Sequence, residues 1–192
     1  MAGNDNAYAT TVTIGASGGV ATLTSSGPNS TGFVIRSNIL TRPADTLIYA
    51  SGDLVSSSTT GASCAPLTFT GLTTTANYGS IVRIDRVRLR TSSTSVTAAQ
   101  FRAHFYAATA AASNGDNGVW LTPITDYIGA ADITVDRQFT NGAEGCGVPL
   151  IGPMIMCNIA AGADLFCYIE ARAAYTPTSA GTFTVILEGQ RI

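Results

Sequence analysis

The sequence contains no lysine, so all ten of its Lys and Arg residues are arginine. Charged residues make up 11% of the chain, whereas an ordinary soluble domain carries about 25%. Scattered lysine and glutamate keep a free monomer soluble and protect the edges of its sheets. With so few of them, we expect much of the surface to be covered in an obligate or large assembly.

Features of nucleic-acid and membrane proteins are also missing. The net charge is −2 and the isoelectric point about 5.2, so no overall positive field would attract DNA, RNA or an anionic membrane. No apolar run reaches the roughly 18 residues that span a bilayer, and no signal-peptide pattern opens the chain. We therefore expect no nucleic-acid partner, no membrane insertion and no secretion by the usual signal.

Cysteine is scarce and lacks the close spacing of zinc or redox motifs. Cys157 and Cys167 lie in apolar runs, where a buried free thiol is the common explanation. Reduced cysteines are typical of a protein that is made and assembled in a cytoplasm.

The 192 residues fit one domain, or one domain with a small appendage. Residues 1–30 are predicted to form an N-terminal arm, which includes Tyr8, and a hairpin that turns around residues 17–19. Residues 31–192 are predicted to form the main domain.

The main domain shows short alternations of apolar and polar residues that are typical of strands. Candidate strands are TGFVIRSNIL, TLIYASGDLV, PLTFTGL, IVRIDRVRLR, AQFRAHFYA, DITVDRQF, PMIMCNI, DLFCYIEARAAY and GTFTVILEGQRI. A helix over residues 98–112 is the alternative for AQFRAHFYA, because alanine favours helices; we favour the strand. Residues 56–63 and SNGDNGVW are predicted to be loop and turn. The pattern indicates an all-β, jelly-roll-like antiparallel β-sandwich with an extended N-terminal arm.

Residues that could carry out catalysis or bind a metal are few. GASGG has the spacing of a nucleophile elbow around Ser17, but a strand follows it where the motif requires a helix. His104 is the single histidine and is expected to lie in a strand with its polar tip at the surface. The turn at Asp116 offers one carboxylate, whereas calcium loops need several ligands.

Glycoside hydrolysis needs a pair of carboxylates, and the three glutamates, Glu144, Glu170 and Glu188, are scattered along the chain. Trp120 is the single tryptophan available to stack on a sugar ring. The sequence therefore predicts no enzyme, no cofactor, no metal and no small-molecule substrate.

Four arginines crowd into IVRIDRVRLR, residues 81–90. In a regular strand the apolar residues would change face between Asp85 and Arg86. A bulge there would restore one buried face, Val82, Ile84, Val87 and Leu89, and one arginine face, Arg83, Arg86, Arg88 and Arg90. Arginine makes forked bonds to carboxylates, and phosphate sites usually recruit lysine as well. A protein interface is favoured over a row paired within the domain or a phosphate contact, and we predict these four arginines and Tyr8 as interface residues.

Four motifs stand out between residues 42 and 135. They are Y-x-x-G-D-hydrophobic at Tyr49–Leu54, I-x-R-V-R-L at Ile84–Leu89, F-R-x-H-F-Y at Phe101–Tyr106, and an Asp-Asn turn at Asp116 before an aromatic residue. Together they resemble a family of tailed-bacteriophage head proteins, the capsid decoration (cement) proteins. The shared motifs are structural, and the family offers no catalytic residue to carry over.

The resemblance implies a trimeric β-sandwich outside the phage head, assembled in the host cytoplasm, that bridges neighbouring major capsid subunits. A tail, fibre or baseplate component that binds a host receptor or glycan is the alternative, because jelly rolls also serve as lectins. A decoration protein should have termini that reach neighbouring subunits. A receptor binder should expose aromatic residues at loop tips, and Trp120 is the strongest candidate.

Overall fold

The computed structural model describes residues 10–14, 21–25, 33–70, 72, 81–94, 99–109, 114–121, 124–150, 155–158 and 165–191. Its strands are β1 Thr10–Ile14, β2 Ala21–Ser25, β3 Phe33–Thr41, β4 Leu54–Val55, β5 Leu67–Phe69, β6 Ile81–Thr91, β7 Ala99–Tyr106, β8 Tyr127–Phe139, β9 Gly142–Gly147, β10 Ile155–Asn158, β11 Leu165–Ala171 and β12 Thr182–Arg191. A short 3-10 turn at Gly61–Ser63 is the one helical element among these residues. The prediction of an all-β chain is confirmed, including the strand rather than the helix at AQFRAHFYA.

Among the described residues no helix is long and apolar enough to cross a membrane.

The predicted N-terminal hairpin is present, because β1 and β2 pair antiparallel with Thr10 opposite Ser25. The connecting residues 15–20, which include Ser17, lie outside the described residues. The arm with Tyr8 lies outside them as well.

The remaining strands form one curled antiparallel sheet in the order β3-β12-β6-β9-β8-β7-β11-β4. Strand β10 pairs with the first half of β6, and β5 pairs with β11 next to β4. The curl brings the two ends of the sheet together, since the Asn38 side chain on β3 donates to the Thr68 carbonyl on β5 at 2.6 Å. This closure is consistent with a sandwich-like fold, while jelly-roll connectivity stays a prediction.

The core lies inside the curl. Phe101 on β7 packs edge-on against Phe183 on β12, with ring centroids 5.4 Å apart, although β8, β9 and β6 separate these strands in the sheet. Val82, Ile84, Val87 and Leu89 of β6 are all buried there. Their burial holds the sheet in its curled form, because apolar surface removed from water stabilises the fold by about 25 cal/mol per Å².

Two strand predictions need correction. In TLIYASGDLV only Leu54–Val55 forms a strand, because the chain turns at Gly52, whose φ is +98°, and joins neighbouring segments only through single bridges at Tyr49 and Asp53. Strand β9, GAEGCG, was not predicted at all, since glycine is depleted in strands and the segment shows no apolar alternation.

Candidate interaction surface

The bulge predicted in β6 is present at the predicted position. Opposite β6, Glu188 of β12 pairs with Arg86 and the next residue, Gly189, pairs with Ile84, so Asp85 is the extra residue. Ile84 before the bulge and Val87 after it are therefore both buried in the same core. The bulge turns four arginines outward, Arg83, Arg86, Arg88 and Arg90.

Glutamates of the two flanking strands pair with these arginines. Glu188 of β12 binds Arg86, and it lies 2.6 Å from an Arg88 terminal nitrogen. Glu144 of β9 accepts a hydrogen bond from Arg90 Nε at 2.6 Å and lies 3.5 Å from Arg88. The partners of the four arginines therefore include carboxylates of the same chain. This is the within-domain pairing that the sequence analysis ranked below a protein interface.

Arg83 stands apart from this cluster. Its Nε lies 2.8 Å from a carboxylate oxygen of Asp85, the bulged residue, and a terminal nitrogen donates to the Gln190 side chain at 3.0 Å.

Carboxylates are outnumbered in the arginine cluster, which we define as Arg86, Arg88, Arg90, Arg137, Glu144 and Glu188. Arg137 of β8 joins it 3.6 Å from Glu144, so four guanidinium groups share two glutamates. Asp136 lies 3.9 Å from Arg137 but is itself well exposed. Among the described residues the cluster keeps a net positive charge, in a chain whose net charge is −2.

Electrostatics within the cluster favour the charged forms. Burial by itself would raise the pKa of Glu144, but the Arg90 hydrogen bond and the charges of Arg88, Arg90 and Arg137 hold it below its usual value. The hydrogen bond to Glu188 raises the pKa of Arg86. Glu144 therefore remains ionised at neutral pH and orders the arginine side chains that it binds.

Sequence reasoning missed the role of Glu144 because it missed β9. Three glycines let this strand lie close between β6 and β8: a Cβ on Gly145 would be 2.2 Å from the Thr134 carbonyl oxygen, and one on Gly147 would be 2.1 Å from that of Asp132. Contacts this short show that only glycine fits. Closely spaced glycines around a lone glutamate were the available signal, since glycine inside a strand often marks close backbone approach.

The Tyr49 and Asp116 motifs meet in one buried hydrogen-bonded network. The Tyr49 hydroxyl donates to Asp116 Oδ1 at 2.6 Å, and Arg42 binds Asp116 Oδ2 at 2.9 Å with its guanidinium fully buried. The backbone N–H of Ser56 also donates to Asp116, at 2.7 Å. Burial, with the hydrogen bond and charge of Asp116, raises the pKa of Tyr49. Asp116 therefore acts as a buried anchor that holds the turn in place. From the sequence, Asp116 was expected only to be part of a turn.

The structure overturns the expected surface position of His104. The residue is 4% exposed, and its Nε2 lies 2.8 Å from Glu170, which also binds Arg172. An aromatic layer on this outer face of β7 and β11 covers it, with Trp120 stacked on Tyr168 at 4.7 Å between ring centroids. Alternation alone could not reveal this, because the residues that cover His104 on the outer face, Trp120 and Tyr127, come from another part of the chain.

Trp120 itself is 5% exposed. Its burial removes the one loop-tip aromatic residue that the sequence offered in favour of a receptor-binding tail or fibre protein.

The Glu170 cluster makes stability depend on pH. Burial would raise the pKa of Glu170, but hydrogen bonds from His104 and Arg172 lower it below its usual value of about 4.5. The carboxylate therefore stabilises the fold above that pH, and this contribution disappears as pH falls through the lower folded-state value. We expect Glu170→Gln to reduce the free energy of unfolding at pH 6.5 and to differ much less from the parent at pH 3. Urea unfolding at both pH values measures this, with the exposed Asp136→Asn as control. Equal losses at both pH values would contradict it.

The described residues offer little for metal or redox chemistry. No group of three or more His, Cys, Asp and Glu side chains in this part of the chain could hold a metal ion. Cys64, Cys146 and Cys167 are free thiols, and burial raises the pKa of Cys167.

Comparison with known protein families and with characterised proteins finds no match for this chain.

Proposed function

We propose that the chain is a structural virion protein that decorates a bacteriophage capsid and bridges major capsid subunits from the outside, as a homotrimer. The motif resemblance over residues 42–135 supports this role. The four motifs contribute to a buried network around Asp116, to the bulged strand β6 and to the largely buried strand β7. The role is structural and requires no catalytic residue.

The arginine cluster is the observation that carries the proposal. Arg86, Arg90 and Arg137 have about half of their side-chain surface exposed, at 53%, 50% and 54%. Exposed ion pairs add only about 0–1 kcal/mol each to stability, so the needs of folding do not account for such a concentration of arginine. Carboxylates of a partner chain would complete the pairing through forked hydrogen bonds, which arginine forms better than lysine.

Exposed apolar side chains fit the same role. Nine large apolar residues are exposed in the described part of the chain: Ile39, Leu47, Ile48, Val119, Leu121, Ile124, Phe139, Val148 and Leu150. Single exposed apolar residues are ordinary. Only 11% of the residues are charged, so a chain with nine exposed apolar side chains stays soluble more easily when neighbouring subunits cover part of its surface.

Capsid binding tests the proposal directly. Replacing Arg86, Arg88 and Arg90 with serine is expected to abolish or strongly reduce occupancy on expanded, undecorated capsids of the phage that encodes the chain. The reason is that three of the four guanidinium groups facing the partner are lost. Co-sedimentation measures occupancy, and electron microscopy of the particles shows where the protein sits.

The matched control is Arg102→Ser. This arginine lies on the outer face of β7 and pairs one-to-one with Asp132, at 2.6 Å. The control should bind as the parent does, and circular dichroism should show that both variants fold. Full occupancy of the folded triple variant would remove the arginine cluster from the interface. A parent protein that is a stable monomer and leaves expanded capsids bare would end the decoration proposal.

A further inference from the structure

A cleft opens where three parts of the sheet meet. It has a volume of about 350 Å³ and lies between the end of β6, the turn from β8 to β9 and the start of β12. Its lining includes Arg90, Phe139, Asn141, Glu144 and Thr184. Sites for small molecules usually occupy roughly 300–1,000 Å³, so the cleft is large enough for one.

Polar groups of both kinds line the cleft. Arg90 donates from Nε to Glu144, and its two terminal nitrogens make no hydrogen bond to any described residue. Glu144 supplies a carboxylate on a side chain that is 10% exposed. The Asn141 side chain adds an amide, which both donates and accepts, and Thr184 adds a hydroxyl. A ligand in the cleft therefore meets hydrogen-bond donors and acceptors side by side.

An aromatic ring stands beside these polar groups. Phe139, the last residue of β8, lines the cleft and is 54% exposed. A half-exposed phenylalanine next to a polar cleft offers an apolar face for a ligand that is itself apolar on one side.

We propose that this cleft binds a neutral saccharide. A sugar ring carries hydroxyls that each donate and accept, which suits the neighbouring Arg90 and Glu144, and it has an apolar C–H face that packs on an aromatic ring. The two ionisable residues of the lining, Arg90 and Glu144, carry opposite charges, so the lining favours a neutral ligand over an anion. The proposal does not depend on capsid decoration, since the cleft could hold a sugar on any virion or host surface.

Titration with simple sugars tests the site. The full-length protein is titrated with glucose, galactose, mannose and N-acetylglucosamine, and with sialic acid and inorganic phosphate as anionic probes, and binding is followed by isothermal titration calorimetry and NMR. At least one neutral sugar is expected to bind, and Phe139→Ala to weaken it roughly tenfold, as loss of an aromatic contact predicts. Phe139→Trp should restore or strengthen binding.

The control variant is Ile124→Ala, which truncates an apolar side chain that is 89% exposed and does not line the cleft. It should leave sugar binding unchanged. The proposal is overturned if none of the four neutral sugars binds, if Phe139→Ala and Ile124→Ala behave alike, or if phosphate or sialic acid binds more tightly than every neutral sugar. The arginine triple variant cannot serve as the test here, because it also removes Arg90 from the cleft lining, whereas Phe139→Ala leaves every arginine of the cluster in place.

Discussion

Replacing Asp116 with alanine is expected to lower the free energy of unfolding by about 3 kcal/mol or more, the range for breaking a buried ion pair. The Asp116 carboxylate accepts hydrogen bonds from Arg42, the Tyr49 hydroxyl and the Ser56 backbone N–H. The substitution leaves those donors buried without their acceptor. Arg42 keeps a second carboxylate, Asp45, at 2.8 Å, which places the loss toward the lower end of the range. Urea denaturation followed by fluorescence measures it.

Asp45→Ala is the matched control, because Asp45 binds the same guanidinium from a side chain that is 29% exposed. It should cost about 1 kcal/mol or less. If Asp116→Ala does not fold, Tyr49→Phe keeps the idea testable, with an expected loss of about 2 kcal/mol, because its hydroxyl accepts a hydrogen bond from Arg42 Nε and donates one to Asp116. Equal losses for the Asp116 and Asp45 variants would mean that the buried network does not anchor this region.

Replacing Gly147 with alanine is expected to cost about 3 kcal/mol, the upper end for overpacking. A Cβ at this position would lie 2.1 Å from the Asp132 carbonyl oxygen and 2.9 Å from Ile133 Cγ1. The first of these atoms is backbone in the adjacent strand β8, so no side-chain rotation can relieve the clash. Strand β9 must therefore move away from β8, and thermal and urea unfolding should both record the loss.

Cys146→Ala serves as control on the same strand, because Cys146 is an exposed free thiol on the outer face. The expected change is within about 0.5 kcal/mol. Displacement of β9 should also disturb Glu144, so under the proposed capsid role the folded fraction of Gly147→Ala should occupy fewer sites than the parent does. A Gly147→Ala variant as stable as the parent would show that β8 and β9 are not so closely packed.

The bulge in β6 could be predicted from sequence because it rests on a local conflict. Period-two alternation and the burial of Ile84 and Val87 on one face are compatible only if one residue is extra. The pairing of β6 with β12 shows that the extra residue is Asp85. The partners of the outward arginines could not be predicted this way, since Glu188 and Glu144 are distant in sequence and reach the row only through strand pairing.

His104 shows the opposite limit. Its strand alternates as expected, with Phe101, Ala103 and Phe105 buried in the core. Alternation alone predicts that His104, on the opposite face, is exposed to solvent. The segment that carries Trp120 covers it instead. No local pattern records which distant segment will lie over a strand.

Local sequence patterns were enough to predict the strand character of the chain, the N-terminal hairpin, the bulge in β6 and the outward row of arginines. Each follows from residue alternation and turn chemistry within about ten residues. Long-range packing, by contrast, places β9 between β6 and β8, lets two glutamates share four guanidinium groups, buries Asp116 as an anchor and brings Phe139 and Arg90 to one cleft. Those features depend on backbones and charges brought together from remote parts of the chain, where close approach and burial, rather than local propensity, set the energy.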